Sequence, residues 1–264
     1  MERKAEVNLY DEKFYEQRTI GALRSARVIL PLVLARLPVR SAIDVGCGCG
    51  AWLRVLEELE VTDVAGYDGD YVDRSRLLTD PTKFTALDLR DGFESGRTFD
   101  LAISLEVAEH LPAEFAEPLV QGLVTAAPVV LFSAAIPGQG GLHHVNEQWQ
   151  DYWRAIFDLY RFSPVDLVRP RIWGNTDVEY WYQQNTILYC SEQALRDNQH
   201  LSRVPSHLSL NTVHPRVYKA QVERLRTQIE QLRVCPQLSL RAALKLLPSL
   251  VWNAVARRMK GAPL

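Results

Sequence analysis

The side chains best suited to move a proton lie in a glycine-rich segment, residues 136–149. His143, His144 and Glu147 occur there within five positions of one another. An imidazole or a carboxylate at this place could remove the proton from an oxygen nucleophile. We predict that His144 is this base, with His143 as the alternate and Glu147 as an orienting partner or a competing base. The other interpretation is that these residues only cap a helix beginning here, in which His143 and Glu147 would share one face.

A second segment, residues 42–50, is suited to hold a ligand and reads Ala-Ile-Asp-Val-Gly-Cys-Gly-Cys-Gly. An apolar run that ends in Asp44 and continues with alternate glycines predicts a buried strand that turns sharply into a helix. The glycines leave room for a ligand to contact bare backbone, and the amides of the following helix face that ligand. Nucleotide-like cofactors bind at such turns in open α/β sheets.

This turn, an acid followed by glycines spaced G-x-G-x-G, resembles the first motif of the class I S-adenosylmethionine-dependent methyltransferases. Three further segments follow in the order that this family has: a predicted strand ending in Asp68, one ending at Asp88, and one running into the string Leu-Glu-Val-Ala-Glu-His-Leu-Pro at 105–112. The resemblance extends from about residue 40 to about residue 135. It implies S-adenosylmethionine as the cofactor and a Rossmann-like α/β fold, with a seven-stranded, mostly parallel sheet that contains an antiparallel strand. The glycine spacing disfavours an NAD-dependent oxidoreductase, whose fingerprint is G-x-G-x-x-G.

The resemblance also implies cofactor contacts from the ends of four predicted strands. In the family, the acid and glycines of the first motif line the methionine part of the cofactor, and the acid closing the second strand holds the ribose. The acid after the third strand and its neighbour meet the adenine, and residues after the fourth strand lie along the cofactor. In that order the matching positions are Asp44, Gly46, Gly48 and Gly50; Asp68; Asp88 and Leu89; and Leu105 and Glu106. Each acid also has a plainer interpretation, as a turn cap or a solvated strand end.

Glu106, Glu109 and His110 have the spacing E-x-x-E-H. This is similar to the spacing that ubiquinone-pathway O-methyltransferases use for a divalent cation. Metal-free relatives carry similar strings, and Mg²⁺ prefers oxygen ligands, so the histidine counts against that ion. We therefore predict no metal and keep this set as the alternative.

The elements that must position these residues follow from apolar patterns. Helical periodicity is present over 19–37, after the glycine turn and from Asn146, which is a suitable N-cap. Continuous apolar runs predict buried strands beside the first one. These strands are predicted at 63–68, 84–89, 99–106, 129–135, 164–168 and 186–191. We divide the chain into an N-terminal helical cap, a cofactor-binding methyltransferase domain, a linker and a basic helical extension, at 1–39, 40–195, 196–213 and 214–264.

Composition limits the class of protein. A chain of 264 residues is long enough for one α/β domain with additions. Its charged beginning gives no sign of a signal peptide, and no apolar run reaches the roughly 18 residues of a membrane span. The four cysteines lack the paired spacing of a zinc site. We expect a reduced, cytoplasmic enzyme.

The tail differs from the rest in charge. Residues 214–264 contain ten Lys or Arg and two Glu, a charge of +8, so within a total of −2 the preceding residues carry −10. A short heptad pattern at Tyr218, Val222, Leu225, Ile229 and Leu232 could pair two copies or pack on the same chain. The basic amphipathic stretch at 238–259 could lie on the inner face of a membrane, dock a partner, or be an ordinary helix. Nucleic-acid binding is not expected, because no recognition motif accompanies the basic residues.

The segment 173–185, which mixes aromatic and amide side chains, suits a polar ring-shaped acceptor or a lid that only packs. Together with His-Val-Asn-Glu-Gln-Trp at 144–149, it loosely resembles methyltransferases of cell-surface glycan and secondary-metabolite pathways. We predict O-methylation of a sugar hydroxyl. The alternatives are small-molecule or N-methylation on the same scaffold, and a catalytically silent cofactor-binding module whose tail recruits partners.

Overall fold

The computed structural model describes residues 2–234, and their side chains from 17 to 231. The chain divides into two compact units, Met1–Pro215 and Arg216–Leu264. The first unit contains the sheet and all of the residues singled out above for cofactor binding or catalysis. In the second unit, the described part is the helix that begins at Pro215, on which Tyr218, Leu225 and Ile229 are exposed. The predictions for residues 235–264 lie outside the described residues.

A seven-stranded sheet organises the described part of the first unit. Its strands are β1 Ser41–Val45, β2 Asp63–Asp68, β3 Phe84–Ala86, β4 Leu101–Leu105, β5 Val129–Ser133, β6 Phe162–Val165 and β7 Ile187–Ser191. They lie in the order β3-β2-β1-β4-β5-β7-β6. The pairs among β1 to β5 are parallel, whereas β7 runs antiparallel to both β5 and β6. The predicted fold class, a mostly parallel seven-stranded sheet with an antiparallel strand, is confirmed.

Helices cover both faces of this sheet. They are α1 Glu2–Leu34, α2 Ala51–Glu58, α3 Ala116–Ala126, α4 Gln150–Leu159, α5 Arg169–Ile172, α6 Tyr180–Asn185, α7 Glu192–Asp197 and α8 Pro215–Val234. One core cluster joins α1 and α2 to one sheet face through residues such as Leu30 and Leu56. The other joins α3 and α4 to the opposite face through residues such as Leu123 and Phe157. Covered on both faces, β1, β4 and β5 have the continuous apolar runs that buried parallel strands require.

Some predicted boundaries were wrong, and each error has a local cause. The helix expected from Asn146 begins four residues later at Gln150. Asn146 is buried, and its amide donates to the carbonyl of Glu109, so it anchors a loop instead of capping a helix. The strand expected to reach Leu89 ends at Ala86, because Asp88 accepts a bond from the amide of Arg90 and starts a short 3-10 turn.

The remaining differences lie at the outer strand and the first helix. The strand expected at 164–168 lies at Phe162–Val165, and α5 begins at Arg169 with Pro170 in its first turn. The first helix runs from Glu2 rather than from residue 19, and it ends at Leu34. None of the described helices combines the length and the apolarity that a membrane crossing requires.

Candidate active site

The glycine turn after β1 forms one wall of a cavity. Gly46, Gly48 and Gly50 have φ angles of 84°, 54° and 81°, in the left-handed region that glycine adopts without strain. Gly46 has a second reason to lack a side chain, because a Cβ there would lie 2.3 Å from Cγ2 of Val107. At Gly48, no described atom lies within 4 Å of such a Cβ. The turn therefore presents bare backbone to open space, directly before α2 at Ala51.

Asp68, at the end of β2, holds this turn in place. Its Oδ2 accepts a bond of 2.6 Å from the amide of Gly48, and its Oδ1 accepts one of 2.7 Å from the amide of Gly69. The hydroxyl of Tyr71 also donates to Oδ1. Because each carboxylate oxygen has more than one acceptor position, Asp68 retains the capacity to accept a ligand hydroxyl.

Asp44 lies in β1 just before the turn, with 2% of its surface exposed. Among the described residues, no donor reaches its Oδ2. Burial raises the pKa of Asp44 well above its ordinary value, and the negative charge of Asp68 raises it further. An unpartnered buried carboxylate is unfavourable, and a ligand ammonium would supply both a donor and a compensating charge. The residues present therefore fit the amino-acid end of the cofactor implied by the resemblance.

The cavity in front of the turn has a volume of about 280 Å³. Its walls come from the glycine turn, α1, the segment after β4, the loop after β5, and α6. Five of the residues predicted from the sequence line it, namely Gly46, Gly48, Leu105, Glu106 and His144. The fold thus brings the predicted cofactor turn and the predicted base into one cavity.

Two carboxylates, Glu106 and Glu109, line the same cavity in unequal surroundings. Glu106 has a φ of 57°, and its carboxylate accepts bonds from Asn185 Nδ2 (3.0 Å) and Gln139 Nε2 (2.8 Å). Glu109 is completely buried, and neither of its carboxylate oxygens has a hydrogen-bond partner within the described residues. Burial raises the pKa of both groups, and the charge of Glu106 raises the pKa of Glu109 further. Glu109 is therefore the member of the pair that holds a proton.

His144 is oriented by Glu147. Its Nδ1 lies 2.9 Å from Oε1 of Glu147. The Glu147 carboxylate also accepts hydrogen bonds from the backbone amides of Gly138 (2.7 Å) and Gly140 (2.8 Å). A carboxylate only accepts, so Nδ1 donates and Nε2 keeps its lone pair. The ring of His110 packs edge-on against that of His144, with 4.9 Å between the centroids. Burial lowers the pKa of His110, and the charge of His144 adds to this effect.

Other predicted residues lie away from the cavity. His143 is exposed, with a φ of 60°, and its carbonyl rather than its ring lies near His110. Because α4 begins only at Gln150, the expected shared helical face of His143 and Glu147 does not form. Asp88 pairs with the Arg90 guanidinium, whose hydrogen bonds lower the pKa of Asp88 to about 2. Its neighbour Leu89 is buried in the core.

Sequence reasoning missed Gln139. Its amide joins Glu106 to the side chains of Gln184 and Asn185, because its Oε1 accepts a bond of 2.9 Å from each of them. The sequence indicated this network only in part. Gln139 lies in the glycine-rich segment 136–149, and Gln184 and Asn185 lie in the segment 173–185, but nothing in the sequence connected the two segments. Arg18 of α1 also lines the cavity, and no feature of the sequence predicted this position.

A comparison with family models matches residues 16–121 to a family described as a methyltransferase domain. A search of curated proteins finds no significant match. Among solved structures, the sugar N-methyltransferase KedS8 from Streptoalloteichus has a TM-score of 0.50 at 17% identity, and the alignment covers 68% of this chain and 92% of KedS8. At this identity the similarity supports the fold alone.

Two further solved structures are similar over part of the chain. DesVI from Streptomyces venezuelae is 26% identical with a TM-score of 0.42, over 52% of this chain and 60% of DesVI. A TehB-like SAM-dependent methyltransferase from Corynebacterium glutamicum is 17% identical with a TM-score of 0.46, over 72% of this chain and 100% of its own. This chain therefore spans less than two thirds of DesVI.

Proposed function

We propose that this chain is a class I S-adenosylmethionine-dependent methyltransferase, in keeping with its match to a methyltransferase-domain family, and that it methylates a hydroxyl group of a sugar in a glycan or secondary metabolite. The observation that carries the proposal is the imidazole of His144, which Glu147 orients and which lines the same cavity as the glycine turn. Bound S-adenosylmethionine supplies an electrophilic methyl group. A sugar hydroxyl has to lose its proton as its oxygen attacks, and a positioned imidazole is the usual acceptor of that proton.

The proposed proton path starts at the acceptor hydroxyl and ends on His144. With S-adenosylmethionine held at the glycine turn, the acceptor oxygen would take its methyl group, and Nε2 of His144 would take the proton that this oxygen loses. Glu147 stabilises the resulting imidazolium through the Nδ1 hydrogen bond of 2.9 Å. The bonds from Gly138 and Gly140 to Glu147 fix the carboxylate, so the ring orientation is set before the acceptor binds.

We assign the cofactor to the glycine turn and to the acids around it. Asp44 supplies an unpartnered carboxylate for the ammonium of the methionine end. Asp68 supplies acceptor positions for ribose hydroxyls, and Glu106 and Leu105 lie along the cavity wall beside them. Contacts of Asp88 and Leu89 with the adenine stay a prediction.

The case for a sugar acceptor comes from the part of the cavity wall that α6 forms. Tyr180 and Trp181 line the cavity, and Trp173 and His214 pack beside them, with 5.0 Å between the latter two rings. Aromatic faces combined with fixed polar groups suit a ligand with both apolar and hydroxyl-bearing surfaces. Gln139 presents an amide at the same cavity.

A titration and a transfer assay test this function separately. Calorimetry should show binding of S-adenosylmethionine and no binding of NAD. With labelled methyl donor and a panel of nucleotide sugars and oligosaccharides, label should appear in an ether. His144→Ala should lower turnover by about 10²–10⁴-fold and leave cofactor binding unchanged.

The control is His143→Asn, which removes an exposed imidazole and keeps a residue type that tolerates a positive φ. It should retain wild-type turnover. Label that appears on an amine, as in the reaction named for KedS8, would replace O-methylation by N-methylation. Unchanged turnover in His144→Ala would remove His144 as the base. Cofactor binding without transfer to any acceptor class would favour the silent module.

A further inference from the structure

We propose that Tyr71 competes with the cofactor for Asp68. Its hydroxyl holds a position on the carboxylate that a ribose hydroxyl takes, and cofactor binding exchanges the one for the other. The inference rests on the proposed function, because it takes Asp68 as the acid that binds the ribose of S-adenosylmethionine. It adds a residue that determines cofactor affinity, and it states the direction: the Tyr71 hydroxyl weakens cofactor binding.

The first support is the number of acceptor positions that Asp68 has left. A carboxylate has about four lone-pair positions, two on each oxygen. Oδ1 of Asp68 accepts from the amide of Gly69 and from the hydroxyl of Tyr71, so both of its positions are filled. Oδ2 accepts from the amide of Gly48 and keeps one position. Asp68 can therefore accept one ligand hydroxyl directly, and a second one only if a donor leaves.

The donor that leaves can be identified from what carries it. A ribose has two hydroxyl groups on neighbouring carbons, and an acid at the end of a strand commonly accepts from such hydroxyls. The amides of Gly48 and Gly69 belong to the main chain of two turns, which fixes them in place. The hydroxyl of Tyr71 is at the end of a side chain that can change its rotamer. Tyr71 is therefore the donor that the second ribose hydroxyl replaces.

The surroundings of the Tyr71 ring allow this movement. The residue is 82% exposed, although it is a large aromatic side chain. Its ring folds back over Gly69, where a Cβ would lie 2.1 Å from Cε1 of Tyr71. The lack of a side chain at residue 69 thus gives the ring room to bring its hydroxyl to Asp68. An exposed ring has little buried apolar surface to lose when it rotates away.

The exchange lowers the observed cofactor affinity. Molecules in which the Tyr71 hydroxyl is bound to Asp68 have to lose that bond first, so the observed dissociation constant rises by the inverse of the fraction in which Asp68 is released. One hydrogen bond of this kind corresponds to a factor of about 3–10 in affinity. The demethylated cofactor has the same ribose, so the same competition favours its release after methyl transfer.

Calorimetric titration of Tyr71→Phe tests the exchange, because the substitution removes the hydroxyl and keeps the ring. The variant should bind both S-adenosylmethionine and S-adenosylhomocysteine about 3–10-fold more tightly than wild type does. Tyr160→Phe is the matched control. It also removes a hydroxyl that donates to a carboxylate, that of Glu117, and it should bind both compounds as wild type does.

Analogues of S-adenosylhomocysteine that lack the 2′-hydroxyl or the 3′-hydroxyl show whether the gain depends on the ribose. The gain in Tyr71→Phe should be present with the parent compound. It should be absent with the analogue that lacks the hydroxyl which replaces that of Tyr71, because the tyrosine can remain on Asp68 in that complex.

Equal or weaker binding of S-adenosylmethionine by Tyr71→Phe would overturn the exchange, because the hydroxyl would then be neutral or would hold Asp68 ready for the ribose. An equal gain with the parent compound and both analogues would also overturn it, since the gain would not depend on a ribose hydroxyl. Both results leave the proposed methyl transfer untouched. If wild type and Tyr71→Phe are folded in thermal melts and neither binds S-adenosylmethionine, the proposed function is lost together with the exchange.

Discussion

The two sides of the cavity are held in different ways. We call the side at the glycine turn the cofactor half and the side at the loop that carries Gln139 and His144 the acceptor half, after the ligands that we propose they bind. On the cofactor half, main-chain conformation does the positioning: the glycine turn has positive φ angles, and Asp68 binds the amides of Gly48 and Gly69. On the acceptor half, contacts between segments that are distant in the sequence do the positioning. Gln139 accepts a bond from Gln184 across 45 positions of the chain, and the carbonyl of Glu109 accepts bonds from a loop more than 30 residues later. The first half depends on local sequence, and the second depends on the assembled fold.

Backbone strain also differs between the halves. The positive φ angles of the glycine turn belong to glycines, whereas Glu106 after β4 and His143, next to the proposed base in sequence, have φ of 57° and 60°. Non-glycine residues in this region persist only where the surroundings hold them, and they are concentrated at functional sites. Changes on the cofactor half should therefore act mainly through folding and cofactor affinity. Changes on the acceptor half should act mainly on turnover.

The largest effect that this comparison predicts is at Gly46. Alanine there would be strained at a φ of 84°, and its Cβ would lie 2.3 Å from Val107. We expect Gly46→Ala to lower the free energy of unfolding by about 2–4 kcal/mol and to abolish cofactor binding. Urea unfolding and calorimetry measure the two quantities.

Gly48→Ala is the matched control for this prediction. Its φ of 54° is also positive, but no described atom lies within 4 Å of the added Cβ. It should lower stability by only about 1 kcal/mol and still weaken cofactor binding, because the methyl group would extend into the open space in front of the turn that we assign to the cofactor. Equal destabilisation by both substitutions would contradict the assignment of the Gly46 effect to Val107.

The second prediction concerns Gly141 on the acceptor half, where a substitution removes no reactive side chain. Alanine at Gly141 would place a Cβ 2.2 Å from Nε2 of His144, in a backbone conformation that alanine tolerates. We expect Gly141→Ala to displace the imidazole and lower turnover by about 10–100-fold, with cofactor affinity unchanged. Misplacement of a catalytic group by about 1 Å is sufficient for a loss of this size.

Steady-state kinetics and a cofactor titration measure the Gly141→Ala effect. Gly140→Ala does not serve as a control, because the amide of Gly140 holds Glu147. Gly174→Ala is better suited, since Gly174 lies on another loop and no described atom would lie within 4 Å of its Cβ. Its φ of 82° makes it a test of backbone strain without a contact to His144. Full turnover in Gly141→Ala would show that Nε2 is not the reactive atom.

The same division explains what could be predicted from the sequence. The strands and the glycine turn follow from apolar runs and an acid-glycine motif, which are local signals, whereas the antiparallel strand was implied by the family resemblance. The participation of His144 was predicted, but its pairing with Glu147 arises in an irregular loop and not on a helical face. Gln139 could not be assigned a role, because its partners Asn185 and Gln184 come from α6. Side-chain networks between distant segments leave no periodic trace in the sequence.

The smallest predicted effect is a pH dependence at Asp44, where the cofactor half has its own unpartnered acid. Folding raises the pKa of Asp44 through burial, so the protonated form is favoured in the folded state. The stabilisation that comes from protonated Asp44 is therefore complete below the pKa of the unfolded chain, about 3.9. It is lost as the pH rises from there through the pKa of Asp44 in the folded protein. Asparagine does not titrate. Relative to wild type, Asp44→Asn should therefore gain free energy of unfolding as the pH rises from 5 to 8.

Urea unfolding of cofactor-free protein at the two pH values measures this gain. Asp100→Asn is the control, since Asp100 accepts bonds from the amides of Arg40 and Ser41 at the opposite end of β1. Asp100→Asn should have a lower free energy of unfolding than wild type, and the difference should be the same at both pH values. Asp100 already has hydrogen-bond donors within the protein, whereas we propose that the donor for Asp44 comes from the ligand. A difference between Asp44→Asn and wild type that stays constant with pH would mean that Asp44 is already ionised in the free protein at pH 5, and would contradict a pKa raised by burial.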